Sequence, residues 1–228
     1  MTSVSRSDAT DIRAVLFDLD GTLIDSAPDL AGAANEMRTV RGLQPLPYER
    51  LRPMVGSGAR GMLAASLQVA PDHAEYEAMR HEFLHRYEQR MLQETYIFDT
   101  VQPLLDRLNG RGVPWGIVTN KAERFALPVT RGLGLFERAG CVVGGDTTPH
   151  AKPHPEPLLE AARRLNLAPE QCVYVGDDER DMLAGHAAGM LTVAAAWGYL
   201  GHEAQIDSWG AHFIIEHPME LLKYLQLP

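Results

Sequence analysis

The sequence predicts an α/β protein: a doubly wound parallel sheet interrupted by an inserted all-helical domain. Three observations carry this. Runs at 13–18, 113–118, 141–144, 172–176 and 191–195 are apolar on both faces, as strands buried within a parallel sheet must be. Amphipathic stretches separate them, so the chain alternates strand and helix. Between the first run and the second, residues 27–95 contain no strand-like segment. A strand–helix–strand crossover needs only a dozen or so residues. The excess therefore reads as a separate helical domain, with a core from 12–26 and 96–228.

Taken in order, the polar segment 1–11 lacks an apolar stretch and reads as a disordered tail with no signal peptide. The first strand, 13–18, runs into a turn at Gly21. Ser26 caps a helix to about Gly42, with Pro28 in its first turn. The insertion continues through 47–55, a break at Gly56-Ser57-Gly58, a helix over 59–68 and a longer one from Pro71 to Met91. Helices are then expected at 100–111, 122–132, 155–166 and 178–188, each followed by the next strand. A short strand at 212–215 and a helix at 218–225 close the chain.

Composition narrows the function. With 21 Lys and Arg against 30 Asp and Glu, the formal charge is −9. That balance, without a basic block, argues against nucleic acid or an anionic membrane as partner. No apolar run is long enough to span a bilayer. Cys141 and Cys172 are isolated in strand-like runs and read as buried, reduced thiols of a cytoplasmic protein.

In doubly wound sheets reactive groups gather at the carboxyl ends of strands. The polar clusters of this chain fall there. Asp18 and Asp20 follow the first strand, Thr119 and Asn120 the second, and Asp177, Asp178 and Asp181 the fourth; Lys152 lies in the loop before a helix. In extended backbone Asp18 and Asp20 point to one side. So many carboxylates near a buried edge are costly unless a cation or a bound reactant compensates them, and such a site should bind a hard divalent cation. Oxygen-only ligands favour Mg²⁺ over Zn²⁺. Lys152, Thr119 and Asn120 supply donors for a phosphate oxyanion. A nucleophilic carboxylate, a metal and an oxyanion cradle suggest phosphoryl transfer through an aspartyl-phosphate, with a second carboxylate as acid and base.

The string VLFDLDGTLIDS at 15–26, with Thr119, Lys152 and the GDDERD run at 176–181, resembles the four motifs of the haloacid dehalogenase superfamily. The resemblance implies a Rossmann-like core, Asp18 as nucleophile, Asp20 as general acid and base, Thr119 on the phosphate, and Lys152 opposing the charge of both. It implies Mg²⁺ held by Asp18, the backbone carbonyl of Asp20 and Asp177, with Asp181 in the metal shell through water, and leaves open whether Asp178 replaces Asp181. The helical insertion matches the family's small cap, which closes over the site. Val55-Gly56-Ser57-Gly58-Ala59-Arg60 looks like the cap's substrate loop in phosphoglycolate phosphatases, so Gly56, Ser57, Gly58 and Arg60 become candidates for binding a substrate carboxylate. GSGARGM, WGIVTNKAERFALP, GDDERD and SWGAHFIIEHPMEL look similar to N-acetylmuramic acid 6-phosphate phosphatases of peptidoglycan recycling. The expected partner is a small phosphate ester carrying a carboxylate, and the expected state a monomer or homodimer. A phosphosugar mutase, or a non-catalytic binding protein on the same scaffold, are the alternatives.

Other residues are ambiguous. His150 and His154 flank Lys152 and read as solvated or loop-shaping; His81 and His85 read as a surface pair. Lys121 and Arg124 follow Thr119, either touching substrate or sitting near the entrance.

Overall fold

The computed structural model describes residues 12–201 and 205–225. The expected N-terminal tail lies outside the described residues. The chain divides into two compact units. One comprises Ile97–Gly198 with the described parts of Met1–Leu23 and Gln205–Pro228; the other comprises Ile24–Tyr96 with the described part of Tyr199–Ala204.

In chain order the elements open with β1 (Ala14–Phe17), β2 (Ile24–Asp25) and α1 (Ala27–Val40). Next come α2 (Tyr48–Leu51), a 3-10 segment (Arg52–Ser57), α3 (Gly58–Leu67), α4 (Tyr76–Arg90) and β3 (Tyr96–Ile97). The strand–helix alternation resumes with α5 (Gln102–Gly110), β4 (Trp115–Val118), α6 (Glu123–Gly132), β5 (Cys141–Val143) and α7 (Glu156–Arg164). It ends with β6 (Cys172–Gly176), α8 (Glu179–Ala187), β7 (Leu191–Ala195) and β8 (Phe213–Ile215).

The larger unit is built on a six-stranded sheet of order β5-β4-β1-β6-β7-β8. Every neighbouring pair is parallel. β1 is central, and the chain winds outward to β4 and β5 on one side and to β6, β7 and β8 on the other. The carboxyl ends of β4, β1 and β6 therefore lie side by side, at the point where the winding reverses. Register fixes this: Phe17 is level with Ile117 and with Val175.

The strands are buried on both faces because their residues are apolar throughout. Ala14, Leu16, Cys172 and Tyr174 join Leu158, Ala161 and Ala162 of α7 and Ala184 of α8 in one cluster. Phe17 and Trp115, in alternate positions, meet edge to face at 6.3 Å between ring centres. Cys141 and Cys172 are free and buried, and burial pushes each thiol up to about 11.

The smaller unit is helical, as expected, except at its ends. β2 and β3 pair as a two-stranded sheet; two-residue strands leave too little alternation to be seen in sequence. Asp29, fully buried at the start of α1, ties the unit's return segment: its Oδ2 accepts from Glu94 N, Thr95 N and Thr95 Oγ1 at 3.0, 2.9 and 2.8 Å. Ser26 occupies the N-cap position of α1, but its side chain makes no capping bond. The Tyr199 hydroxyl meets the backbone N–H of Ser26 and Ala27 instead, at 2.7 and 3.0 Å, and donates to Asp25 Oδ1 at 2.8 Å. α4 begins at Tyr76 rather than Pro71. The expected closing helix is a 3-10 segment, Pro218–Lys223.

Candidate active site

The site is assembled at the carboxyl ends of β1, β4 and β6. β1 ends at Phe17, and Asp18 is anchored by its N–H to Val175 O at 2.8 Å. Gly21 then takes φ +86°, a conformation that side-chain-bearing residues avoid, which turns the chain just past Asp20. Thr119 leaves β4 with its N–H on Val143 O at 3.0 Å. Asp177 follows β6 directly.

Asp18, Asp177 and Asp181 are all buried and each offers a carboxylate oxygen within 4.8 Å of the others. Lys152, buried, closes this cluster. Its Nζ donates to Asp18 Oδ1 at 2.8 Å, Asp181 Oδ1 at 2.7 Å and Val118 O at 3.0 Å, and lies 2.8 Å from the Tyr174 hydroxyl. Burial pulls the Lys152 ammonium down, but Asp18 and Asp181 outweigh it and raise it above its usual value. Burial pushes Asp18 up to about 7, against the pull of Lys152. One ammonium does not balance three carboxylates. An all-oxygen donor set carrying excess negative charge fits a hard divalent cation.

The two acids of the first motif part company. Asp18 joins the cluster, whereas the Asp20 carboxylate is gripped by Lys121 Nζ at 2.9 and 3.0 Å. Lys121 thus contacts the acid expected to serve as acid and base. The strand has already ended at Phe17, so the simple alternation expected for Asp18 and Asp20 does not continue to them.

Asp178 and Asp181 also separate, for a local reason. Asp178 is the N-cap of α8 and accepts from Arg180 N at 2.9 Å, while its own N–H donates to Asp181 Oδ2 at 3.1 Å. This reciprocal capping arrangement uses the three-residue spacing. Burial pushes Asp178 up, but the Arg180 guanidinium and N–H outweigh it and hold it below the usual carboxylate range. Asp181, not Asp178, faces the cluster.

Asn120 has a second task. Its side-chain amide donates to Lys152 O and accepts from Lys152 N, both at 2.9 Å, so it fastens the lysine loop, which leaves one side-chain N–H to donate. Thr119 Oγ1 accepts from Lys121 N at 3.1 Å, which leaves its own O–H proton to give. Gly56, Ser57, Gly58 and Arg60 lie in the other unit, where Arg60 is exposed on the first turn of α3.

Three participants escape sequence reasoning. Thr22 Oγ1 donates to Asp177 Oδ1 at 2.9 Å; the threonine of the D-x-D-G-T string was its signal. Tyr174 sits in an apolar strand and reads as core, yet its hydroxyl lies 2.9 Å from Val118 O and 3.2 Å from Asp181 Oδ1. Burial, then Asp181 and Asp18, raise it well above its ordinary value, so it stays a neutral phenol. Gly198 packs against Asp177 so closely that a Cβ there would overlap the carboxylate.

A carboxylate cluster closed by a buried lysine, at the reversal point of a parallel sheet, defines an α/β enzyme built on acid-residue chemistry. Comparison with known proteins agrees with that class. The family model described as haloacid dehalogenase-like hydrolase matches residues 12–189. A phosphoglycolate phosphatase of Xanthomonas campestris pv. campestris is 50% identical over 210 residues, 92% of this chain and 94% of that protein. An N-acetylmuramic acid 6-phosphate phosphatase of Pseudomonas aeruginosa is 41% identical over 214 residues, 94% of this chain and 95% of that one. The crystal structure of a predicted phosphoglycolate phosphatase from Haemophilus somnus superimposes with a TM-score of 0.82 at 26% identity, covering 95% of this chain and 99% of the other. The chain belongs to the haloacid dehalogenase-like hydrolase family. Among the described residues no helix is long and apolar enough to cross a membrane.

Proposed function

We propose that the protein is a Mg²⁺-dependent phosphomonoester hydrolase that works through Asp18. The reading rests above all on the buried Lys152, which touches both Asp18 and Asp181 in a cluster still rich in negative charge. A Mg²⁺ ion would be held by the side chains of Asp18 and Asp177 and by the backbone carbonyl of Asp20, with Asp181 acting through water. When bound, it supplies positive charge to the phosphoryl oxygens.

The Asp18 carboxylate oxygen attacks phosphorus and the bond to the ester oxygen breaks. Asp20 gives its proton to the departing alkoxide. Asp20 then takes a proton from water, whose oxygen attacks phosphorus; the Asp18–phosphorus bond breaks and inorganic phosphate leaves. Lys152 opposes the charge that builds on Asp18 and the phosphate, and the Thr119 O–H donates to a phosphate oxygen. Lys121 sets the orientation of Asp20.

The substrate is proposed to be a small phosphate ester bearing a carboxylate: 2-phosphoglycolate or N-acetylmuramic acid 6-phosphate. Support comes from the names of the relatives at 50% and 41% identity. Arg60, with the Gly56-Ser57-Gly58 segment, is proposed to pair with that carboxylate. The expected setting is the cytoplasm.

The deciding experiment is kcat/KM for the two esters side by side with Mg²⁺, together with Asp18→Asn and Asp20→Asn. Both variants should stay folded and lose turnover by orders of magnitude. Near-normal turnover by folded Asp18→Asn would overturn the assignment of the nucleophile. Arg60→Ala should raise KM for the carboxylated esters more than for an uncharged phosphomonoester.

A further inference from the structure

Outside the carboxylate centre, a second group of ligand-type side chains comes together on the loop that carries Lys152. His150, His154 and Glu156 each offer a donor atom within 4.8 Å of the other two. The imidazoles stack, with ring centres 4.3 Å apart and planes 27° from parallel. His150 Nδ1 is 2.8 Å and His154 Nδ1 3.9 Å from Glu156 Oε2, and His154 Nδ1 also accepts from the Glu156 backbone N–H at 3.3 Å. Both histidine side chains are exposed, at 62% and 49%, so a hydrated ion has free access.

The backbone beneath them is held. Thr148 Oγ1 donates to His150 O at 2.7 Å, and His154 N donates to Ala151 O at 3.0 Å. Between them the Asn120 amide clamps both backbone polar groups of Lys152. Glu156 opens α7, which fixes its position relative to the loop. The group therefore does not have to be gathered from a floppy segment, and less ordering entropy opposes binding.

We propose that His150, His154 and Glu156 form a surface site for a borderline divalent transition-metal ion, Zn²⁺ foremost. Two imidazoles and one carboxylate are the donor set such ions prefer, whereas Mg²⁺ prefers all-oxygen sites. A tetrahedral Zn²⁺ with nitrogen ligands at about 2.1 Å spaces its donors about 3.4 Å apart. Rotation of the two exposed imidazoles and the half-buried Glu156 side chain, which frees His154 Nδ1 from Glu156 N, brings the group to that spacing, and water completes the shell. The site is separate from the Asp18, Asp177 and Asp181 cluster in residues and in ligand chemistry, and it does not depend on which ester is hydrolysed. Because its ligands bracket Lys152, an ion there ties the two ends of the lysine loop together.

The test is Zn²⁺ titration of the full chain in saturating Mg²⁺, which occupies the all-oxygen centre. It is read by competition with a chromogenic chelator and by Tm. One Zn²⁺ per chain should bind and raise Tm. His150→Ala and His154→Ala should each weaken binding by about tenfold or more, and Glu156→Gln should weaken it in the same direction. Their kcat/KM with Mg²⁺ in Zn²⁺-free buffer should stay near that of the parent, which shows that they fold. The pair His81→Ala and His85→Ala should leave Zn²⁺ affinity unchanged. Absence of Zn²⁺ binding in saturating Mg²⁺, displacement of Zn²⁺ by Mg²⁺ in simple competition, or full affinity in His154→Ala would overturn the proposal.

Discussion

Replacing Lys152 by methionine removes one charge and keeps most of the side-chain volume. The Lys152 side chain is 3% exposed, and its ammonium stands 2.8 Å from Asp18 and 2.7 Å from Asp181. Those carboxylates are themselves only 12% and 2% exposed, so water cannot take the place of the lysine. Deleting one partner of a buried ion pair costs about 3–5 kcal/mol, because the remaining charge is left uncompensated. For a chain of this size each kcal/mol lowers Tm by about 2–4 °C, so the expected fall is about 6–20 °C. Two measurements check this: thermal unfolding with EDTA and with Mg²⁺, and kcat. Mg²⁺ should recover more Tm in Lys152→Met than in the parent, because the variant cluster is more negative. Turnover should nevertheless drop by about a hundredfold or more, since a positive donor to the reacting groups is gone. An unchanged Tm in EDTA, or a smaller Mg²⁺ effect than in the parent, would refute the view of Lys152 as the charge that holds the cluster together.

Gly198→Ala places a methyl group against the Asp177 carboxylate; activity should require more Mg²⁺, and an unaltered Mg²⁺ titration would count against Asp177 as a ligand. Asp29→Asn weakens a carboxylate that accepts three hydrogen bonds from Glu94 and Thr95 and pairs with Arg90 at 3.4 Å. Urea unfolding should register a loss of about 1–3 kcal/mol. Burial, with His186 adding to it, holds His212 below its usual pKa, and its Nδ1 accepts from Thr192 N at 3.1 Å. The unfolded chain then binds the proton more readily than the folded one, so this contribution is whole above about pH 6.5 and is lost as the pH falls from there through the lower folded-state value. Unfolding free energy measured from about pH 7.5 to about pH 5 should fall less steeply in His212→Gln, and an identical slope would refute the assignment.

Much of this molecule was open to reading from the chain because its determinants are local. Both-face apolar runs mark the strands at 172–176 and 191–195 to the residue, since burial in a parallel sheet demands just that pattern. The acids that follow β1 and β6 announce the site edge by position alone. The length of the strand-free stretch between the first two core strands marks the helical insertion. Where the local signal is weak the reading slips: two-residue strands carry no period, and a Pro-led final turn does not say whether it will be α or 3-10.

What only the tertiary structure decided is how the charged groups are shared out. Composition supplies five acids and two lysines around one edge, but not their pairings. Lys152 reaches Asp18 across 134 residues, Lys121 reaches Asp20 across 101, and Thr22 reaches Asp177 across 155. Asp178 goes to a helix cap and Asp181 to the cluster, though they lie three apart. Asn120 fastens the lysine loop. Tyr174, apolar in context, turns its hydroxyl toward Asp181. Secondary structure follows from periods of two and 3.6 that neighbouring residues create. An ion pair depends on which strand ends lie side by side, and that is settled by the order in which β4, β1 and β6 pack.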